Sequence, residues 1–421
     1  MSLSLKKRFR QKMRLVIQKL PQFIQGRIYR NMLCLTDRIP EDLTFKVAES
    51  KEELEEAFKL VYESYKGVGI IDELDEKLWM TKYQLMPTTT ILIAKWKQQI
   101  IATACIIVDS PLGIPVEEVA DLTKFREKGY AISEVSSVAI HKDFRKMNPG
   151  ILMPLWKYIY EYSYYFAGID ILVATIHQSV KGYFKHVLQF TELPRKEGAK
   201  KYSQVKDSNP ATLMIDLNTL IKRYKKVYKN APNEKNLYRY YVEVKFHNFN
   251  FGENPIPGAV NPVMKPSYLD YFLSKKPSIF KQLGEQEVQM VGSSYFYGQF
   301  KEVLSKHFCC PISSETRSNL RVLYNKTVEA VDHSNNEQIV CKLRDISKHG
   351  IRFRCEKDLT PGTILTIDIP VKETHLKSVS TNVEVLWKRN CLFGCRIVDI
   401  NESNWLNFVE LLEERFLILA K

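Results

Sequence analysis

Six short segments in the last hundred residues, TVEAVD, QIVCKLRDIS, GIRFRCE, ILTIDIP, VSTNVEVLWKRN and CLFGCRIVDI, alternate apolar with polar residues or run apolar throughout. A period of two places successive side chains on opposite faces of a strand, and no helix can segregate such a pattern. Pro361 and Gly362 supply a turn between two of the segments. Short strands at close, regular spacing predict an antiparallel β-barrel. A final helix follows, with Trp405, Phe408, Val409, Leu412 and Phe416 on one face, able either to cap the barrel or to meet the preceding part of the chain.

The preceding residues follow a different order. TFKVAE reads as a strand and KEELEEAFKLVYESYKG as an amphipathic helix ending at Gly67. TTTILIAKWKQQIIATACIIVDS reads as two strands about a polar turn, and AISEVSSVAI as a third. A helix over PGILMPLWKYIYEYSYYFAG, a buried strand IDILVATI and a short helix in SVKGYFKHVLQF complete the pattern. Strands and helices in this order predict an α/β (α+β) domain, a mixed sheet with flanking helices. At 421 residues the chain exceeds one typical core, and two domains are expected. The expected division is a basic amphipathic segment over 1–43, the α/β domain over 44–308, a polar linker over 309–316 that includes Pro311, and the barrel domain over 317–421.

Eight cysteines are scattered without a CxxC pair or a histidine at ligand spacing, which supports neither a zinc site nor a disulfide framework. Buried, reduced thiols and no metal are expected. The formal charge of +14 points to an anionic partner. Half of that excess lies in residues 1–45, where ten Lys or Arg meet three acidic residues. There Leu5, Phe9, Met13, Val16 and Leu20 recur at helical spacing until Pro21. Such a helix can lie on an anionic membrane surface, dock an acidic protein, or pack on its own domain with a solvated basic face. With no stretch of about 20 apolar residues to span a bilayer and no secretory segment, a cytoplasmic protein, peripheral at the inner membrane if the helix binds lipid, is expected. No helix-turn-helix, zinc finger or aromatic RNA-binding pattern is present, so nucleic acid is not an expected partner.

Arg317 and Arg321 stand four residues apart ahead of the barrel segments, and Asp345, Ser347 and Gly350 fall in RDISKHG between two of its strands. Two guanidiniums beside a carboxylate, a hydroxyl and a glycine turn suit a small, planar, doubly anionic ligand. Guanidinium binds phosphate oxygens and the acceptor edge of guanine, and stacks on bases, while Asp accepts from an amino group. The two motifs, RSNLR and DISKHG, resemble the RxxxR and D/NxSxxG motifs of the PilZ family, and both are complete. The resemblance implies cyclic di-GMP as a regulatory ligand, held by Arg317, Arg321, Asp345, Ser347 and Gly350.

A second resemblance covers roughly residues 20–300. The strand ending in DSPLGIP, the strand SEVSSVAI followed by Asp143, Phe144 and Arg145, and the run ILVATIHQSVKGYFKHVLQF resemble the long-chain N-acyl amino acid synthases. These are bacterial relatives of the acyl homoserine lactone synthases, built on the GNAT acyltransferase fold. The resemblance implies transfer of a fatty acyl group from acyl-phosphopantetheine on an acyl carrier protein to an amine. Such an amine must lose a proton, and Glu134, on a strand of small and apolar residues, is the candidate general base because burial raises a carboxyl pKa. Backbone N–H groups of Val135, Ser136, Ser137 and Val138 are candidate oxyanion donors, and Arg145 with Gly150 lies where GNAT proteins cradle pyrophosphate.

Three departures accompany this resemblance. The loop RKMNPGI has one glycine and a proline where coenzyme A users are glycine-rich, which favours a carrier-protein donor or an inactive site. The tyrosine that many relatives offer as proton donor falls at Phe184, leaving Tyr183 or water for that step. Gln189 replaces a glycine before Phe190. The cationic runs Lys6–Lys19, Arg195–Lys201 and Lys222–Lys229 suit an acidic carrier protein. Two readings follow: a cyclic di-GMP-responsive N-acyltransferase, and a catalytically degenerate GNAT-like scaffold acting as a cyclic di-GMP adaptor.

Overall fold

The computed structural model describes residues 17, 19–199, 202, 206, 210–252, 264–276, 279, 283–295, 297–308, 321–371, 378–398 and 403–418. An eight-stranded mixed sheet is built from β1 (Leu43–Val47), β2 (Thr89–Trp96), β3 (Gln99–Val108), β4 (Ile132–Ile140), β5 (Ile171–Ile176), β6 (Thr191–Glu192), β7 (Ala211–Asp216) and β8 (Phe249–Asn250). Its order is β6-β7-β5-β4-β3-β2-β1-β8. Helix Lys51–Gly67 starts where Ser50 accepts the Glu53 N–H at 3.1 Å, and it buries Leu54, Ala57, Phe58 and Val61 against β3 and β4. Glycine-free apolar runs in β2 and β3 are buried on both faces, as expected of central strands flanked by helices.

β4 and β5 are a parallel pair in the middle of this sheet. They pair only from Ile132 opposite Ile171 to Val135 opposite Ala174, after which β4 runs on to Ile140 without β5. The helix before β5, Asn148–Glu161, widens into a π-helical turn over Tyr162–Phe166 and ends at Gly168, whose φ of +62° suits a residue without Cβ.

The C-terminal part is a barrel. β10 (Thr327–Asp332), β13 (Ile364–Pro370), β14 (Ser378–Arg389), β15 (Leu392–Ile397), β12 (Gly350–Cys355) and β11 (Glu337–Ser347) follow one another, and β10 closes on β11. The short β9 (Val322–Leu323) adds to the other side of β11. All barrel pairings are antiparallel, as the alternation predicts. Helix Ser403–Ile418 caps the barrel: Trp405, Phe408, Val409 and Leu412 join its core, and the Trp405 indole N–H donates to Lys348 O at 3.0 Å. Cys341, Cys355 and Cys395 are buried in that core. The two apolar cores are separate, and Leu323 of β9 packs against the first of them. The basic N-terminal helix to residue 16, the linker 309–316 with Arg317, and the side chain of Phe416 lie outside the described residues.

Candidate functional site

Glu134 is fully buried in β4, one residue from the end of its pairing with β5. Its Oε2 accepts the Val116 backbone N–H at 2.6 Å, and its Oε1 accepts from Thr175 Oγ1 at 3.1 Å and from the Tyr202 hydroxyl at 3.4 Å. Burial pushes the Glu134 carboxyl up to about 8, although these three donors favour its ionised form. A carboxyl of that kind is neutral at neutral pH and becomes a base slightly above it.

Beside Glu134 the sheet carries a bulge. Thr103 faces Ala139 and Cys105 faces Ser136, so Ser137 and Val138 together stand opposite Ala104. Ser137 takes a φ of +52°, in the left-handed region that a side chain rarely adopts. The bulge leaves one extra residue outside the regular ladder with β3. Among Val135, Ser136, Ser137 and Val138, the last two are therefore the ones set apart from regular pairing. Arg145 donates from Nε to Ile140 O at 3.1 Å, and Gly150 lies in the first turn of helix Asn148–Glu161 with open space where a Cβ would stand.

Tyr183 and Phe184 occupy a short helix, Lys181–His186. Phe184 packs edge-on against Trp156 and against Phe190, both at 5.3 Å between ring centres. The Tyr183 hydroxyl donates to Met153 Sδ at 2.9 Å, and burial pushes its pKa well above the ordinary phenol value. A phenol raised in this way stays protonated, so Tyr183 and water both remain proton donors for a leaving thiolate. Gln189 adopts a φ of +63°, the conformation a glycine takes freely, and its side-chain amide donates to His186 O at 2.9 Å.

On the barrel, Asp345 is the hub. Its Oδ1 accepts from Arg321 Nη1 at 2.5 Å and its Oδ2 from Arg352 Nη2 at 2.5 Å. Ser347 Oγ donates to Gly350 O at 3.1 Å, which closes the turn. A Cβ on Gly350 would stand 2.6 Å from Cys395 O, so only glycine fits there. Arg321, Asp345, Ser347 and Gly350 are thus brought together.

The strand register extends the site by two residues that motif reading missed. Leu323, Asp345, Arg352, Gly394 and Trp387 pair in sequence across β9, β11, β12, β15 and β14, so they share the outer face. Gly394 leaves room for the half-exposed Trp387 indole, since a Cβ there would meet the ring at 2.1 Å. Arg389 stands over the same indole, 5.9 Å from its ring centre. The alternation of GIRFRC already puts Arg352 outward, but only pairing puts it on Asp345.

The guanidinium pair on a buried carboxylate, followed by the Ser-x-x-Gly turn between two strands of a six-stranded barrel, decides the C-terminal assignment. Residues 315–414 are a PilZ domain. Residues 56–215 match the family model described as N-acyl amino acid synthase FeeM. The chain therefore joins an N-acyl amino acid synthase-like domain to a PilZ domain. Among solved structures, FeeM, an N-acyl amino acid synthase from uncultured soil microbes, is 19% identical, with 43% of this chain and 94% of that chain covered and a TM-score of 0.35. BjaI, a CoA-dependent acyl-homoserine lactone synthase, is 15% identical over 44% of this chain and 89% of its own, with a TM-score of 0.33. The PilZ domain of YcgR from Escherichia coli with c-di-GMP is 12% identical over 24% of this chain and 93% of that one, with a TM-score of 0.20. No curated protein matches the chain. No helix among the described residues is long and apolar enough to cross a membrane.

Proposed function

We propose that this chain is an N-acyltransferase under the control of cyclic di-GMP. It moves a fatty acyl group from the phosphopantetheine of an acyl carrier protein to the amine of an amino acid or similar small molecule. The observation that carries this reading is the state of Glu134: a fully buried carboxyl, held by Val116, Thr175 and Tyr202, beside a bulge in its own strand.

In this reading the amine binds with its proton directed to Glu134, directly or through one water, and the free amine attacks the thioester carbonyl. The bulge amides of Ser137 and Val138 receive the oxyanion, with Val135 and Ser136 continuing the strand toward the base. Arg145 and the first turn at Gly150 take the phosphate of the donor arm. The C–S bond breaks as the amide forms, and Tyr183 or water protonates the thiolate. Cations along helix Leu217–Val227, including Lys222, Arg223, Lys225 and Lys226, favour an acidic carrier. Cyclic di-GMP binds Arg317, Arg321, Asp345, Ser347 and Gly350, joined by Arg352.

Mass spectrometry of lipids from cells expressing the wild-type chain and Glu134→Gln tests the enzyme. New N-acyl amines that vanish in the variant are expected. Their absence from wild-type cells supports the second reading, a GNAT-like scaffold serving as a cyclic di-GMP adaptor, which the packing of Phe184 between Trp156 and Phe190 favours.

A further inference from the structure

β11 carries a bulge of its own. Leu343 faces Phe353 and Asp345 faces Arg352, which leaves Arg344 as the extra residue. Cys341, Leu343 and Ile346 point into the barrel core, so the bulge turns two consecutive side chains, Arg344 and Asp345, outward together. Asp345 holds the ligand-site arginines. Arg344 reaches the other domain, where its Nη2 donates to Asp170 Oδ2 at 2.8 Å.

Asp170 is buried and saturated. Lys342 donates to its Oδ1, as does Asn218 Nδ2 at 3.0 Å, and the Ala131 N–H donates to its Oδ2 at 2.9 Å. Burial alone would raise this carboxyl, but the Arg344 and Lys342 charges outweigh it and hold the group below its ordinary value. Asp170 immediately precedes β5, and Ala131 immediately precedes β4.

Two further contacts reach the same two loops. Arg321 leads straight into β9, where Leu323 packs against the first domain's core, and on to Asn325, whose Nδ2 donates to Ala167 O at 3.0 Å. A Cβ on Gly168 would stand 2.1 Å from Asn325 O. Arg354 donates from Nε to Lys128 O at 2.7 Å and covers the Tyr130 ring at 4.7 Å. The barrel therefore grips loops 128–131 and 167–170, which feed the strands carrying Glu134 and Thr175.

Charge on this face is unbalanced. Arg321, Lys342, Arg344 and Arg352 crowd about Asp170 and Asp345, and Arg344 has Arg352 and the Glu356-paired Arg354 as repulsive neighbours. Docking brings in the Asp170 carboxylate, which relieves that repulsion. A doubly anionic ligand relieves it too, so each weakens the benefit of the other.

We propose that Asp170 and cyclic di-GMP compete for this shared surplus of positive charge, so that ligand binding releases the barrel from the loops that lead into β4 and β5. The inference rests on cyclic di-GMP being the ligand of the barrel. It is a regulatory device, with Asp170, Arg344 and Gly168 as its docking residues and none of them in either reaction or ligand chemistry.

The test is calorimetry of cyclic di-GMP with the full chain as wild type, Asp170→Asn and Gly168→Ala. Both variants should bind at least about fivefold more tightly, the lower end of ordinary coupling between sites. Gly168→Ala decides the matter, because it wedges the domains apart while leaving every charge in place. Tightening in Asp170→Asn alone would mean local charge and would overturn the release, as would unchanged or weaker binding in both. Hydrogen exchange on the wild type is an independent arm: saturating ligand should speed exchange in 128–131 and 167–170, and unchanged exchange overturns the proposal even if the variants fold poorly. A wild-type chain that does not bind cyclic di-GMP instead removes the reading beneath it.

Discussion

Thr175 Oγ1 donates to Glu134 Oε1 at 3.1 Å, across two parallel strands whose pairing ends one residue after Glu134. The threonine thus favours the ionised carboxyl at the place where the strands part. Replacing it by valine removes one donor to the charged form, so the working pKa of Glu134 rises further above about 8. The Thr175→Val variant should show its pH–rate profile displaced to higher pH with little loss at the plateau.

Glu134→Gln should lower acyl transfer by about 10²–10⁴-fold, the usual worth of a general base. The wild-type rate should rise with pH through about 8 as the carboxyl ionises. Steady-state kinetics with an acyl carrier protein thioester checks both, and a flat profile would remove Glu134 from the base role.

The same residue sets a stability slope. Between its ordinary value of 4.5 and about 8 the folded chain holds a proton that the unfolded chain has lost. Stability contributed by Glu134 therefore falls as pH rises through that window, by up to about 1.4 kcal/mol per unit. Denaturant melts at several pH values should show this slope in the wild type and its loss in Glu134→Gln.

Tyr183→Phe removes the hydroxyl that donates to Met153 Sδ. If water protonates the leaving thiolate, turnover should stay within about threefold of wild type, well short of the loss from a general acid. A fall of about a hundredfold would identify Tyr183 as the donor.

Arg352→Ala should weaken cyclic di-GMP binding as much as Arg321→Ala, because each arginine makes the same kind of contact to Asp345. A charge-assisted contact is worth about 1.5–3 kcal/mol, or about 10–150-fold in affinity. Calorimetry on the two variants gives the comparison, and quenching of Trp387 fluorescence on binding would place the ligand against the outer row that both share.

Much of the architecture is legible in the chain itself. The period of two in TVEAVD and ILTIDIP, against the helical period of KEELEEAFKLVYESYKG, separates a barrel from an α/β domain because each period can bury only one kind of face. RSNLR and DISKHG are local, so the PilZ-like motifs and their glycine turn could be read directly. What brings Arg352 onto Asp345, Val116 and Tyr202 onto Glu134, and Arg344 onto Asp170 is pairing between residues far apart in sequence. Two bulges add to this. One in β4 sets Ser137 and Val138 against a single partner, and one in β11 turns Arg344 outward beside Asp345. An inserted residue leaves no mark on hydrophobic alternation until its partner strand is known, so the strands belong to the sequence, while the carboxylates' partners were decided by the tertiary structure.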